Sequence, residues 1–319
     1  MTANESETAV IALGGNALSP AGEHSTIADQ FAHTRASLGA IVDLALDGWD
    51  ICLVHGNGPQ VGDELVRNEI ARYEVAPLPL GVLVAATAGW IGYMIQQSLE
   101  NALRRAGSDR DVATVVTQIH VAPDDPALTA PTKFIGHAIP EERVSDLLER
   151  GVSVKRDARG RWRRVVGSPT PLAVHEIGII KRLVQSGTIV VACGGGGAPI
   201  YHDGARGWEG LDAVIDKDLA AAVLARDLGA SLLMILTDVE GVFVDYGTPR
   251  QRMLDTLTLG EAQRLDSTGA FGAGSMAPKV RAAANFVRHT GGRAIITELA
   301  RGREAVRGAA GTTIIAENA

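Results

Sequence analysis

Three charged residues stand side by side in the segment AVIDKDLAAA, namely Asp216, Lys217 and Asp218. The leucine and alanines that follow predict the start of a helix, with Asp216 at or near its N-cap. Successive helical side chains point about 100° apart, so these three cannot share one partner, and unpaired charge in an apolar setting is costly. A charged first turn that complements the helix dipole would explain the aspartates but not the lysine between them.

Lysine is rare in this chain, because only five of its 30 basic residues are lysines. Three of the five lie in motif-like segments: Lys133 in PTKFIG, Lys217 in VIDKD and Lys279 in GSMAPKV. Lysine offers a compact, mobile ammonium that arginine does not replace. We expect Lys279 in a first helical turn, where its charge opposes the helix dipole and a bound anion would offset the conflict. For Lys133, an ordinary surface lysine is the alternative.

Glycine-rich turns follow three apolar, strand-like segments. The turns contain Gly14, Gly15 and Asn16; Gly56, Asn57 and Gly58; and Gly194, Gly195 and Gly196. Backbone N–H groups in such turns can approach an anion closely. None of the turns matches the dinucleotide fingerprint or the Walker A loop. The first turn alone is as well explained by a plain strand-to-helix connection, whereas four consecutive glycines favour backbone brought close to a ligand.

The pattern around these residues predicts an α/β fold with a largely parallel central sheet, because strands and helices alternate. Ligands bind at the carboxyl ends of the strands in such sheets, so the glycine turns and lysines should converge there. We expect one domain over residues 1–319. Residues 120–166 interrupt the alternation with prolines and a charged turn, and predict an inserted subdomain. We also expect a strand over Val112–Gln118 and a helix over Pro171–Ser186.

Composition excludes several classes of protein. A net charge of −7 argues against nucleic acid as the main partner. Cys52 and Cys193 lack metal or redox spacing and are expected to be buried free thiols. The uncharged segment Val75–Leu99 contains glycines, two prolines and a Gln-Gln pair, which favour a buried helix over a membrane span. The N-terminal residues lack the features of a signal peptide, so a cytoplasmic protein is expected.

Glycine turns with two or three lysines are typical of a polyanion site, and a nucleoside triphosphate is the natural ligand. Phosphoryl transfer requires positioning and charge neutralisation more than covalent chemistry. That requirement suits a sequence with no evident Ser-His-Asp or Cys-His set. His55 closes a strand, where a histidine is more often structural than catalytic.

Seven segments together resemble the carbamate kinases of the amino acid kinase family. In order along the chain they are ALGGNAL, HGNGPQVG, TVVTQ, PTKFIG, CGGGGAP, AVIDKDLA and GSMAPKVRAA. The resemblance implies an open αβα sandwich with a small protruding subdomain, and a homodimer. It also implies reversible phosphoryl transfer between ATP and carbamate, giving ADP and carbamoyl phosphate, with Mg²⁺. We expect the reaction to run toward ATP in arginine catabolism.

The resemblance also implies roles for individual residues. Lys217 and Lys279 would neutralise the transferring phosphoryl group, Asp218 would orient them, and Lys133 would reach the acceptor from the subdomain. Carbamate and the phosphoryl group would be bound by the three glycine turns, that is by Gly14, Gly15, Asn16, Gly56, Asn57, Gly58, Gly194, Gly195 and Gly196. The nucleotide would lie along Asp216, Thr237, Asp238, Phe243 and Met276. The metal ligands are left open between Asp216 and Asp218.

Two alternatives remain at this point. One is another small-acceptor kinase of the same fold, acting on acetylglutamate or glutamate. The other is a non-catalytic sensor of carbamoyl phosphate or nucleotide, which the intact set of charged residues disfavours.

Overall fold

A computed structural model describes residues 7–14, 18, 26–271 and 276–317. Its centre is an eight-stranded sheet, and we number strands and helices in chain order. From one edge to the other the strands are β15 (Thr256–Thr258), β17 (Thr312–Ile315), β16 (Arg293–Glu298), β12 (Leu232–Thr237), β1 (Thr8–Leu13), β2 (Asp50–His55), β9 (Ile189–Val191) and β3 (Val112–Thr114). All neighbours pair in parallel except β16 and β17. The predicted parallel sheet is confirmed.

Helices cover both faces of this sheet. The helices among the described residues are α1 (Ile27–Ala36), α2 (Gly39–Leu46), α3 (Gly58–Ala71), α4 (Leu80–Arg105), α5 (Pro126–Thr129), α6 (Glu141–Glu149), α7 (Ile177–Gln185), α8 (Lys217–Leu228), α9 (Leu259–Ser267), α10 (Met276–Thr290) and α11 (Gly302–Val306). Alternate residues of β1 belong to two separate hydrophobic cores, one shared with α8 and α10, the other with α2 and α4. Both faces of β1 are therefore buried, which explains its continuous apolar sequence.

Three smaller sheets flank the central one. They are β11 (Gly207–Gly210), β10 (Ala198–Asp203), β4 (Gln118–His120) and β8 (Ala173–Val174); β5 (Lys133–Ile135), β7 (Trp162–Val166) and β6 (Val154–Arg156); and β13 (Val242–Val244) with β14 (Arg252–Leu254). The sheet of β5, β7 and β6, with α6, lies within residues 120–166. Ile135 of β5 packs against Val61 of α3 and Val84 of α4, so a shared apolar cluster joins this part to the main body.

Two predicted elements were wrong in their bounds. The predicted strand Val112–Gln118 is two strands in different sheets, because Thr117 turns the chain: its hydroxyl donates to the Val115 carbonyl and accepts from the Cys193 N–H. The predicted helix Pro171–Ser186 begins only at Ile177, because Ala173 and Val174 pair with the edge of β4 instead. In both places tertiary pairing overrides the local pattern.

No helix among the described residues combines the length and apolarity that crossing a membrane needs. The uncharged segment that prompted the question lies largely in α4, whose residues Ile91, Met94 and Ile95 are fully buried in the core.

Candidate active site

The carboxyl ends of three adjacent parallel strands form the edge at which the site lies. Gly14 follows β1, and its N–H donates to the Leu236 carbonyl of β12 at 2.9 Å. A Cβ at Gly14 would lie 2.9 Å from that oxygen, so the two strand ends meet closely. β1 lies between β12 on one side and β2 on the other, so the strand order reverses at β1. Open α/β sheets bind ligands at such a point. Gly15 and Asn16 lie outside the described residues.

The first turn of α8 projects its charged residues at this edge. Asp216 caps the helix, since its Oδ1 accepts from the backbone N–H of Asp218 at 2.9 Å and of Leu219 at 3.4 Å. The preceding residues of the AVID segment are buried, which anchors the helix start in the core. Gly56, which follows β2, leaves room for the Lys217 side chain, because a Cβ at position 56 would lie 3.2 Å from the Lys217 Cδ.

A buried cluster is formed by Lys217, Asp218 and Lys279, in which the Asp218 carboxylate makes an ion pair with both ammonium groups. Asp218 Oδ1 lies 2.5 Å from the Lys217 Nζ, and Asp218 Oδ2 lies 3.1 Å from the Lys279 Nζ. The Asp218 side chain is only 5% exposed. Two positive charges against one negative leave the cluster with net charge +1, in a setting where charge is costly unless paired. The arrangement is suited to binding an anion.

The pKa values follow from burial and from these contacts. Burial would raise the pKa of Asp218, yet the ammonium groups of Lys217 and Lys279 lower it to about 2. Burial lowers the pKa of Lys217, partly opposed by the Asp218 carboxylate. Lys279 lies in the first turn of α10, where its positive charge opposes the helix dipole. Asp218 already supplies a negative partner there, so the chain itself provides part of the compensation for this charge.

Asp216 binds Lys133, a partner that the sequence did not suggest. The Lys133 Nζ of β5 donates to the Asp216 Oδ2 at 2.8 Å, and both side chains are about a quarter exposed. Burial would raise the pKa of Asp216, but the Lys133 ammonium contributes to holding it below its usual value. One carboxylate thus caps α8 with one oxygen and holds the subdomain lysine with the other. Its expected place along the nucleotide stays a prediction.

The run of glycines after β9 is required by the chain's own side chains. Gly194, Gly195 and Gly196 form a short 3-10 turn in which Gly195 and Gly196 have positive φ. A Cβ at Gly194 would lie 2.5 Å from the His55 Nε2, and one at Gly195 would lie 2.2 Å from the Asn57 Nδ2. Tight packing against these side chains is therefore one reason why the turn requires glycine. Their role in substrate binding stays a prediction.

The side chains of His55 and Asn57 contact other residues of the chain. His55 is fully buried, and burial lowers its pKa to about 4, so the ring is neutral at pH 7. The Asn57 Nδ2 donates to the Thr87 hydroxyl of α4 at 2.9 Å. Thr87 is a site-supporting residue that sequence reasoning missed, because 30 positions separate it from Asn57 and no local pattern marks it. Gly58, the third member of this turn, begins α3.

The residues expected along the nucleotide occupy three elements. Thr237 ends β12, and its hydroxyl donates to the Asp238 Oδ1 at 3.1 Å. Phe243 lies in β13 with its ring edge-on to Tyr246, and Met276 begins α10. α10 also carries Lys279, so its start reaches the lysine cluster.

No group of three or more histidine, cysteine, aspartate or glutamate side chains with metal-site geometry occurs within the described residues. Asp216 and Asp218 both face lysines. Cys52 and Cys193 are buried free thiols, as predicted, and burial raises the pKa of each.

Comparison with known proteins shows the family to which this chain belongs. Residues 7–298 match the model of the amino acid kinase family. A carbamate kinase of Pyrococcus horikoshii is 42% identical over 97% of this chain and 99% of its own length. Solved structures of carbamate kinase from Giardia lamblia, one bound to citric acid and one bound to AMP-PNP, are 39% identical. They cover 98% of this chain and 99% of their own, with TM-scores of 0.92 and 0.90. The chain belongs to the amino acid kinase family.

Proposed function

We propose that the protein is a carbamate kinase, which transfers a phosphoryl group between ATP and carbamate and gives ADP and carbamoyl phosphate. The observation that carries the proposal is the buried cluster of Lys217, Asp218 and Lys279 at the carboxyl edge of the sheet. Full-length similarity to carbamate kinases supports the choice of acceptor.

The charge balance of the cluster fits the reaction. Carbamate and the terminal phosphate of ATP are both anions and repel each other, and two ammonium groups offset that repulsion. Asp218 orients both lysines in a buried setting, and its carboxylate raises the pKa of Lys217 against the effect of burial. Carbamate attacks through an oxygen that already carries negative charge, so no general base is needed. The neutral, enclosed His55 agrees with that chemistry.

The remaining contacts divide between the two substrates. The glycine turns that follow β1 and β2 bind the phosphoryl and carbamate groups, and Lys133 reaches the acceptor from β5. Thr237, Asp238, Phe243 and Met276 lie along the nucleotide, with Asp216 at its phosphate end. Mg²⁺ enters as part of the nucleotide substrate, because magnesium keeps most of its ligands as water and phosphate oxygens and needs at most one or two carboxylates.

The protein is also proposed to be a homodimer of single domains. Exposed apolar residues line α3, the following loop and α4: Val66, Ile70, Tyr73, Val75, Leu78, Val82 and Tyr93. A surface of this kind marks a contact with another protein, and a second copy is the partner the family resemblance implies. Two reduced, buried cysteines agree with a cytoplasmic protein, and ATP formation in arginine catabolism is the direction we propose.

ATP formation from ADP and carbamoyl phosphate with Mg²⁺ tests the assignment, with Lys217→Arg as the critical variant. A planar guanidinium cannot replace the compact ammonium held beside Gly56, so kcat should fall by more than about tenfold, a barrier increase of about 1.4 kcal/mol. Lys181→Arg, the same change at an exposed position of α7, is the matched control and should leave kcat unchanged.

Other outcomes discriminate the alternatives. ATP formation that survives Lys217→Arg would remove the assigned role of that lysine. Turnover with acetylglutamate and none with carbamoyl phosphate would favour the related kinase. Ligand-induced thermal shifts with no turnover of either compound would favour a sensor.

A further inference from the structure

Two glycines from distant parts of the chain touch backbone to backbone beside the site. Gly62 lies in the second turn of α3, and Gly136 directly follows β5. A Cβ at Gly62 would lie 2.1 Å from the Gly136 Cα and 2.6 Å from the Gly136 N. Carbon atoms do not approach this closely without bonding, so any side chain at position 62 must push the two segments apart.

Gly136 is fixed on both sides of this contact. Its N–H donates to the Gly58 carbonyl at 3.0 Å, and its carbonyl accepts from the Arg163 Nη2 at 2.7 Å. Its φ of +67° is a conformation that glycine adopts at little cost. Gly58 belongs to the glycine turn after β2. The end of β5 is therefore hydrogen-bonded to the same turn that is proposed to bind the phosphoryl group.

Lys133 lies on the same short strand, three residues before Gly136. Its ammonium is bonded to Asp216, at the start of the helix that carries Lys217. Between them, Ile135 is buried against Val61 of α3. A strand this short and this firmly packed moves as one piece, so a displacement at Gly136 is passed on to Lys133.

We propose that Gly62 and Gly136 are positioning residues, whose backbone contact sets the depth at which Lys133 enters the site. The inference rests on the proposed function, in which Lys133 contacts the acceptor. The glycines touch no reacting atom. They act through their backbone contact, which fixes the position of β5 against α3. Sequence reasoning did not single out either glycine, because the contact joins positions 74 residues apart and is visible only in the fold.

Gly62→Ala tests the proposal. The added methyl must separate α3 and β5 by about an ångström, and misplacement of that size can reduce catalysis by up to about a hundredfold. We expect kcat/KM for carbamoyl phosphate to fall by about tenfold or more, while the dissociation constant of ADP changes less than about twofold. Gly178→Ala is the matched control, because it adds the same methyl to a helical glycine with only an ordinary contact at 3.7 Å.

A double-mutant cycle separates positioning from general damage. If Gly62 acts through Lys133, then Gly62→Ala should have little further effect on kcat/KM in a Lys133→Ala background. Fully additive losses would overturn the proposal. Equal losses in ADP binding and in acceptor use would also overturn it, because they would indicate that α3 and the phosphate turn had moved instead of β5.

A readout independent of activity completes the test. Hydrogen exchange of residues 133–136 and 162–166 should be faster in Gly62→Ala than in wild type and unchanged in Gly178→Ala, and unchanged exchange in both variants would contradict the proposal. If Gly62→Ala does not fold, Gly136→Ala should change kcat/KM and exchange in the same direction, because its Cβ would lie 3.1 Å from Gly62 and because alanine is strained at a φ of +67°. Failure of wild type to make ATP would instead contradict the proposed function, whereas the exchange result would still test the contact.

Discussion

At the scale of single residues, the site depends on one carboxylate shared by two lysines. Asp218 lies within 3.1 Å of both ammonium groups and is almost completely buried. Removing its charge would leave two buried ammonium groups without the carboxylate that both of them contact, which is the costly situation for buried charge. Asp218 is therefore expected to determine the protonation of Lys217 as well as its position.

The variant Asp218→Asn should shift the alkaline limb of the pH profile of kcat/KM to lower pH. Burial already lowers the pKa of Lys217, Lys279 lowers it further, and the Asp218 carboxylate is the largest influence that raises it. With asparagine in place, Lys217 loses its proton, and so its charge, at a lower pH. Rates of ATP formation across the alkaline range, in wild type and variant in the same buffers, measure the shift. An unchanged limb would show that Lys217 is not the group that titrates.

At the scale of elements, Asp216 has two roles, a helix cap and an ion pair, and experiments can separate them. It caps α8 through Oδ1 and binds Lys133 through Oδ2. Asparagine is as good an N-cap as aspartate but carries no charge, whereas alanine provides neither function. The difference between the two variants therefore isolates the cap, since both lose the ion pair.

We expect Asp216→Ala to lower the free energy of unfolding by about 1 kcal/mol more than Asp216→Asn does. Both variants should raise the KM for carbamoyl phosphate by a similar factor, because both release Lys133. Urea denaturation at a fixed protein concentration and steady-state kinetics measure the two effects. Equal loss of stability in the two variants would show that Asp216 does not act as a cap.

At the scale of the whole molecule, the proposed dimer would bury the exposed apolar surface of α3 and α4. Val82 lies in the first turn of α4 and is 47% exposed. An aspartate is tolerated there by an isolated helix, because negative charge near a helix N-terminus is stabilising. The same substitution buried against a second copy would place an unpaired charge in an interface.

Val82→Asp should therefore convert a dimer into a monomer without unfolding it. Sedimentation equilibrium measures the mass, and circular dichroism checks the fold. Ile179→Asp is a close control, because Ile179 is 42% exposed and also occupies the third position of its helix, α7. A monomeric wild type, or a dimeric Val82→Asp variant, would contradict the proposed interface.

Much of the architecture could be predicted from local pattern. The alternation of apolar strands with helices predicts the parallel sheet, which is confirmed, and the resemblance to carbamate kinase is confirmed by similarity over nearly the whole chain. Asp216 as a helix cap could also be predicted, because capping depends on residues within one turn. Strand pairing is not local in this way, so the predicted strand Val112–Gln118 and helix Pro171–Ser186 had the wrong bounds.

The sequence by itself determined which residues carry charge and where the glycine-rich turns lie, because composition and short-range spacing can be read directly from the chain. Only the tertiary structure decided which of these residues contact each other. It paired Lys133 with Asp216, placed Asp218 between Lys217 and Lys279, and set Gly62 against Gly136. Each of these contacts joins at least one residue to another more than 60 positions away. Such pairings depend on how the strands and helices pack together, and no periodicity in the chain encodes that.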